Sequence, residues 1–374
     1  MLAAITGATG LTLGAGTAHA AVTCGSTLNQ TTTLTTDLNC QGTALFVGAP
    51  NIVVDLGGRT ISGTQVPDDQ PGTSGVHVIS GRAGVTVRNG TIRGFNRGVT
   101  VNPGASNALI TGLKLDRNAL GIGVFGDPAN APSNTRILKN TVTDTTRFSA
   151  IQVAGRGHRI EGNTILRGGS GISVSGDDNV VQANTLTDTG FSGIALTRFP
   201  SFPGEGSRNQ VLANTVHRPA RSGFAAGIAV FRNADSVVRG NRVEGTSQSS
   251  GITIVDSARS RVSQNQLSGN GSGGGVLIRG TSTGTVVSAN VAEANSTGVN
   301  LSDPTPTGTL VERNTVSASR FDGINVASPQ TTLTGNTSYR NGGFGIRAVN
   351  GVTDGGGNRA FGNAAGQCTP NIAC

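Results

Sequence analysis

Two segments gather many of the chain's chemically able side chains. TRFPSFPGEGSR at 197 to 208 carries Arg198, Glu205 and Arg208 together with Phe199 and Phe202. HRPARSGFAA at 217 to 226 adds His217, Arg218 and Arg221, and Arg232 follows shortly after. Brought round one cleft, these groups suit proton abstraction beside a carboxylate. Arg198, His217 or Arg232 would take the proton or steady the enolate-like charge that develops. Arg208, Arg218 and Arg221 would hold carboxylate or sulfate oxygens, with Glu205 as a further polar contact and the phenylalanines as platforms for a sugar face. The chemistry predicted is that of a lyase acting on an acidic glycan. Hydrolysis of a glycosidic bond would instead require a pair of carboxylates, and the strands described next do not offer one.

The elements that must position this cleft are set by a repeat. A block of the form apolar, apolar, x, x, Asn, x, apolar recurs with its asparagines at Asn140, Asn163, Asn184, Asn214, Asn241, Asn265, Asn290, Asn314, Asn336 and Asn358, spaced 21 to 30 residues apart. Between them lies a second block, Gly, apolar, x, apolar, as in GISV, GIAV, GITI and GINV. Alternation over four positions reads as a strand with one face buried. Each repeat then supplies three short strands, one before the Asn, one after it and one in the glycine block, and the repeats stack as coils of a parallel solenoid. The Asn is expected to take the left-handed backbone of a tight corner and to bond to the Asn of the next coil. About 13 coils follow, a rod of roughly 60 Å at about 4.8 Å per strand step. Leucine-rich repeats would need more Leu at fixed offsets, and no window keeps the 3.6-residue period of a helix.

The outward positions of the glycine-block strands are His77, Thr100, Gly123, Gln152, Ser173, Ala195, Ala229, Thr253, Leu277, Asn300, Asn325 and Arg347. The row lacks the carboxylate pair of a glycosidase. In the turn after it, Asp127, Arg156, Asp177, Arg198, Arg232, Asp256, Arg279 and Asp303 read as a surface ladder of largely alternating charge.

Composition agrees with a stack of small and branched side chains. Gly is 58 of 374 residues, aromatics are 3% and Trp is absent, so Val, Ile, Leu and Ala must fill the core. The net charge of +8 comes with a marked preference for Arg over Lys and fits an acidic polysaccharide as partner. Arg is dispersed around the coils, which speaks against nucleic acid. No segment approaches the roughly 20 apolar residues of a membrane span. Residues 1–20, closing on Ala18-His19-Ala20, read as a signal peptide whose missing Lys or Arg points to a start upstream of Met1. Residues 21–374 then form one domain, secreted or displayed at the cell surface as a monomer. Cys24, Cys40, Cys368 and Cys374 sit at the two ends, and pairs 24 to 40 and 368 to 374 would lock the end coils.

The stretch CGSTLNQTTTLTTDLNCQGTALFVGAPNIVVDLGGRTISG, followed by the Asn coils, resembles exported bacterial right-handed parallel β-helix repeat proteins with a pectate lyase-like fold. That resemblance implies an all-β right-handed parallel β-helix over residues 24 to 374, with polysaccharide on the outer face of one sheet. It leaves the reaction open, because the family holds lyases, hydrolases, epimerases and members without activity. A non-catalytic β-helix that binds glycan or serves as a surface structural element is therefore the alternative to a lyase. Gly176-Asp177-Asp178 and Gly157-His158 are similar to pieces of polygalacturonases, but both fall in turns. Asp177 and Asp178 also bring up Ca²⁺ as a cofactor, with two carboxylates of the about six to eight oxygens this ion takes.

Overall fold

In the computed structural model the described residues are 21–64, 72–126, 129–197, 206–219 and 225–374. All their regular structure is parallel strand. One sheet of 15 strands runs the length of the molecule, from Ser26–Leu28 to Gly366–Cys368. We call it the groove sheet. Two further columns of strands flank the Asn corner, and in the coils of Thr86–Arg93 and Leu109–Asp116 a single strand serves both. The coil count expected from the repeat agrees with this solenoid.

The groove sheet forms because β-branched residues alternate with small or polar ones. Val99, Ile122, Ile151, Ile172, Ile194, Ile228, Ile252, Val276, Val299, Ile324 and Ile346 are in register from coil to coil and fully buried. Each such side chain contributes about 1.5–3 kcal/mol by leaving water. The glycine ahead of them has a steric cause. A Cβ on Gly193 would be driven into Val216 of the third column, the one after the Asn corner, and one on Gly298 into Val316, which favours a bare position there, although Ala150 fills it ahead of Ile151.

The ten repeat asparagines occupy one column and are almost entirely buried. Asn265 shows the pattern. Its Nδ2 donates to Asn290 Oδ1 at 2.9 Å and to Val238 O at 3.0 Å, while its Oδ1 accepts the backbone N–H of Asn241 at 2.9 Å and Asn241 Nδ2 at 3.0 Å. The expectation that Asn itself takes the left-handed backbone is corrected. That conformation belongs to the residue just before it, such as Lys139 (φ 55°), Ala183 (φ 52°), Gln264 (φ 57°) and Arg313 (φ 52°). One left-handed residue suffices to turn the corner, and the Asn is needed inside to satisfy buried backbone groups.

Other corners carry shorter columns that the repeat did not announce. Asn270 donates to Asn295 and Asn341 to Asn363, each at 2.8 Å. In another, His158 stands where its neighbours are Asn179 and Asn209.

Both ends are tied by local disulfides, Cys24–Cys40 and Cys368–Cys374, with Cα separations of 5.5 and 6.3 Å. They mark an exported protein. Peptide mapping of protein made with export should recover these two links. Replacing Cys24 and Cys40 by Ser should cost about 2–3 kcal/mol, given the short loop they close. A link from Cys24 to Cys374 would contradict the structure, whose ends lie at opposite extremes of the rod.

Candidate functional site

The outer row of the groove sheet follows the order read from the sequence. Strand register carries Phe46 to His77, Thr100, Gly123, Gln152, Ser173, Ala195, Ala229, Thr253, Leu277, Asn300, Asn325 and Arg347. The floor itself carries no carboxylate, while Arg and Phe side chains stand along its edges.

Near the N-terminal end, the floor and its edges enclose a depression of about 420 Å³ lined by Gly72, Asn96, Arg97, Leu120, Phe125, Phe148 and Gln152. Phe125, just past the strand Leu120–Val124, folds back over Gly123, where a Cβ would strike its ring. The Arg97 guanidinium stands 4.8 Å from the centre of that ring. Phe148 is 54% exposed on the edge at which the chain enters the strand. Beneath them, hydroxyl pairs Ser74–Thr100 and Ser149–Ser173, each 2.9 Å apart, satisfy each other. The site can thus offer a cation, two ring faces and a side-chain amide.

His77 lies beside it, edge-on to Phe46. Asn102 Nδ2 is 2.9 Å from Val78 O and 2.7 Å from His77 Nε2. Since an amide nitrogen can only donate, Nε2 is the acceptor and the ring proton sits on Nδ1. Burial, and then the charge of Arg97, lower the pKa of His77. The ring is neutral at pH 7 and presents a donor.

Several side chains from the two predicted segments are engaged elsewhere. Arg208 forms a two-pronged pair with Asp178, at 2.7 and 2.8 Å, on the corner after the groove sheet. Arg218 does the same with Asp188, at 2.7 and 2.9 Å, on the corner after the third column. His217 ends the third-column strand Thr215–His217, with Nδ1 2.6 Å from Glu244 Oε1 and Nε2 against Arg218. Arg232 lies beside the Phe231 ring, 5.2 Å from its centre, just past the groove strand Ile228–Phe231. Arg198, Phe199, Phe202, Glu205 and Arg221 lie outside the described residues. Of the described members, Arg208 and Arg218 are each paired with an aspartate, on different corners of the coil.

Of the charge ladder, Asp127 and Arg198 lie outside the described residues. Asp177 accepts from Ser207, and Asp256 from Thr281, at 2.8 and 2.9 Å. Ion pairing runs instead along the left-handed corners, through Asp178–Arg208 and Asp235–Arg259 in one and Asp144–Arg167 and Asp188–Arg218 in the other. Ca²⁺ at Asp177 and Asp178 is thereby disfavoured, because a guanidinium already takes both oxygens of Asp178.

With this architecture the protein is a right-handed parallel β-helix. Residues 149–307 match the family described as right handed beta helix region, and residues 37–218 match that described as periplasmic copper-binding protein (NosD). No curated protein sequence matches the chain. Among solved structures it is similar to the A-module of the mannuronan C-5 epimerase AlgE6 of Azotobacter vinelandii, at 14% identity and TM-score 0.56 over 92% of this chain and 91% of that one. A mutant of the periplasmic alginate epimerase AlgG follows at 12% identity and TM-score 0.53, covering 85% and 76%. A mutant tailspike of E. coli bacteriophage HK620, solved with a pentasaccharide, has 11% identity and TM-score 0.50, covering 89% and 73%. These likenesses are of fold.

The described residues do not fit a copper centre. Copper favours imidazole, thiolate or thioether ligands, yet all four cysteines are in disulfides. His77, His158 and His217 stand in separate places with their own partners. Among the described residues no three His, Cys, Asp or Glu are grouped to hold a metal ion.

Proposed function

We propose that the protein binds an acidic polysaccharide along the outer face of the groove sheet, as an exported binding protein. The observation that carries this reading is the Arg97–Phe125 pair beside Phe148 and Gln152 around one depression. A guanidinium suits a uronate carboxylate, aromatic faces suit the C–H side of a pyranose, and an amide suits hydroxyls. The printed names of the structural neighbours, two of them epimerases of mannuronan or alginate and one a tailspike solved with a pentasaccharide, lend support.

At this depression the state of His77 favours binding over proton abstraction, while His217, the histidine of the lyase reading, lies in the third column with Glu244 and Arg218 as partners. A base must have a free lone pair, and the Nε2 lone pair of His77 is taken by Asn102. The floor row adds no carboxylate to replace it.

Calorimetry with a polyuronate and with a neutral glucan tests the proposal. Arg97→Ala should weaken polyuronate binding at least tenfold, about 1.4 kcal/mol, and wild-type affinity should fall as salt rises. Unchanged affinity in this variant would place the site elsewhere. Absorbance from unsaturated product during the titration would replace the binding reading with the lyase.

A further inference from the structure

The side chains around the depression have spent most of their acceptors on one another. Asn96 Oδ1 takes the Thr73 N–H at 3.3 Å and the Thr73 hydroxyl at 3.0 Å, so both lone pairs of that oxygen are engaged. The Thr100 hydroxyl is engaged with Ser74, and that of Ser173 with Ser149, each at 2.9 Å. Arg97 has no acceptor at all. Gln152 is the one lining side chain whose amide oxygen has no partner among the described residues.

His77 completes this set of donors. Val78 O takes the Asn102 backbone N–H at 3.3 Å and its Nδ2 at 2.9 Å. A carbonyl can only accept, so the amide nitrogen of Asn102 must face that way. The same nitrogen lies 2.7 Å from His77 Nε2 and consumes the ring's lone pair. What His77 presents is the N–H at Nδ1, for which the described residues provide no acceptor. Phe46, in the preceding coil, steadies the ring edge-on at 5.4 Å between centres. His77 is paired in register with Thr100, and Arg97 opens the strand that carries Thr100, close enough for its charge to act on the imidazole.

From this arrangement we infer that the N-terminal end of the groove is a donor-rich site for two neighbouring acidic sugars, with Arg97 holding one carboxylate and His77 Nδ1–H the other. The inference rests on the binding reading above and adds to it a selection, for consecutive uronates over chains in which acidic and neutral sugars alternate. A carboxylate can only accept, and hydrogen bonds to it are roughly twice as strong as those between neutral groups. A neutral sugar at His77 offers the ring no such partner. Asn102 acts here as a positioning residue, because it keeps the ring proton on Nδ1.

Calorimetry with two oligomers of equal length, one of uronates throughout and one alternating uronate with neutral sugar, tests this. Wild type should bind the first about fivefold more tightly, the effect of one hydrogen bond of about 1 kcal/mol. His77→Phe, which keeps a ring against Phe46, should abolish the preference and retain the weaker affinity for the alternating oligomer. Arg97→Ala should weaken binding of both. Asn102→Ala should reduce the preference, and long-range proton–nitrogen correlation spectra of this variant should show the His77 proton shared between the two ring nitrogens. In wild type the same spectra should place it on Nδ1 alone, with a resonance that moves when the uronate oligomer is added. Equal affinity of wild type for the two oligomers, a preference that survives His77→Phe, or a wild-type ring proton on Nε2 would overturn the second acid contact and leave the Arg97 site standing. Absence of binding of either oligomer to wild type would sink both readings.

Discussion

Asn265→Ala should lower the unfolding free energy by roughly 3 kcal/mol or more, read as a fall in the urea midpoint with the slope unchanged. The substitution removes a small side chain, so lost packing is the minor part. What it leaves behind is costly. The N–H and Nδ2 of Asn241 lose their common acceptor, and Val238 O and Asn290 Oδ1 each lose a donor. All these groups belong to the interior, where an unpaired polar atom costs about 1–3 kcal/mol. Asn265→Asp should not rescue, because a carboxylate cannot donate to Val238 O. An unchanged midpoint for the Ala variant would mean that the column merely decorates a stack held by its apolar interior.

Acidification from pH 7 to pH 4 should destabilise the protein by roughly 3 kcal/mol through His158 alone. Its Nδ1 accepts the Thr135 N–H at 3.1 Å and its Nε2 faces Ala154 O at 3.3 Å, inside the rod. Burial lowers its pKa from 6.5 to about 4. The unfolded chain therefore takes up a proton near pH 6.5 that the native state refuses until about pH 4, and stability falls as pH drops through that window. Above pH 6.5 both states are neutral and the effect vanishes. His77, half-buried, adds a loss of the same sign. The corner carboxylates act lower on the scale. Arg167, Arg208 and Arg259 hold Asp144, Asp178 and Asp235 below the usual range, so their contribution is lost only as pH falls below about 3.8. His158→Asn restores the residue type of its neighbours Asn179 and Asn209 and should flatten most of the slope between pH 6.5 and 4. A variant with the same slope as wild type would remove His158 as its source.

The sequence made the fold plain because the solenoid repeats a local pattern. Gly-apolar-x-apolar and the recurrent Asn each report one coil, and their spacing alone sets the register that carries His77 through to Arg347. Contacts between coils were less legible. Arg208 and Arg218 look free along the chain, yet each meets its Asp 30 residues earlier, one coil below. Phe125 falls outside the four-residue strand pattern, and nothing local shows that its ring turns back over Gly123 to meet an Arg from the preceding coil. The left-handed residue before each Asn was hidden for another reason. It is variously Lys, Ala, Gln, Arg or Gly, since it faces outward and only its backbone matters. The invariant Asn therefore took the credit for the turn.

Among the described residues, strand pairing joins each coil to the coil before it and the coil after it. Such a stack behaves like a one-dimensional chain of coupled units, in which stability accumulates from nearest-neighbour interfaces. Melting then proceeds as fraying inward from the two ends, and a weakened interface in the middle acts as a new end. The Asn265 variant should accordingly open in segments, with amides on either side of the defect exchanging early while distant coils stay protected. The disulfides stand at the two places where such fraying begins, so they delay the first step of unfolding.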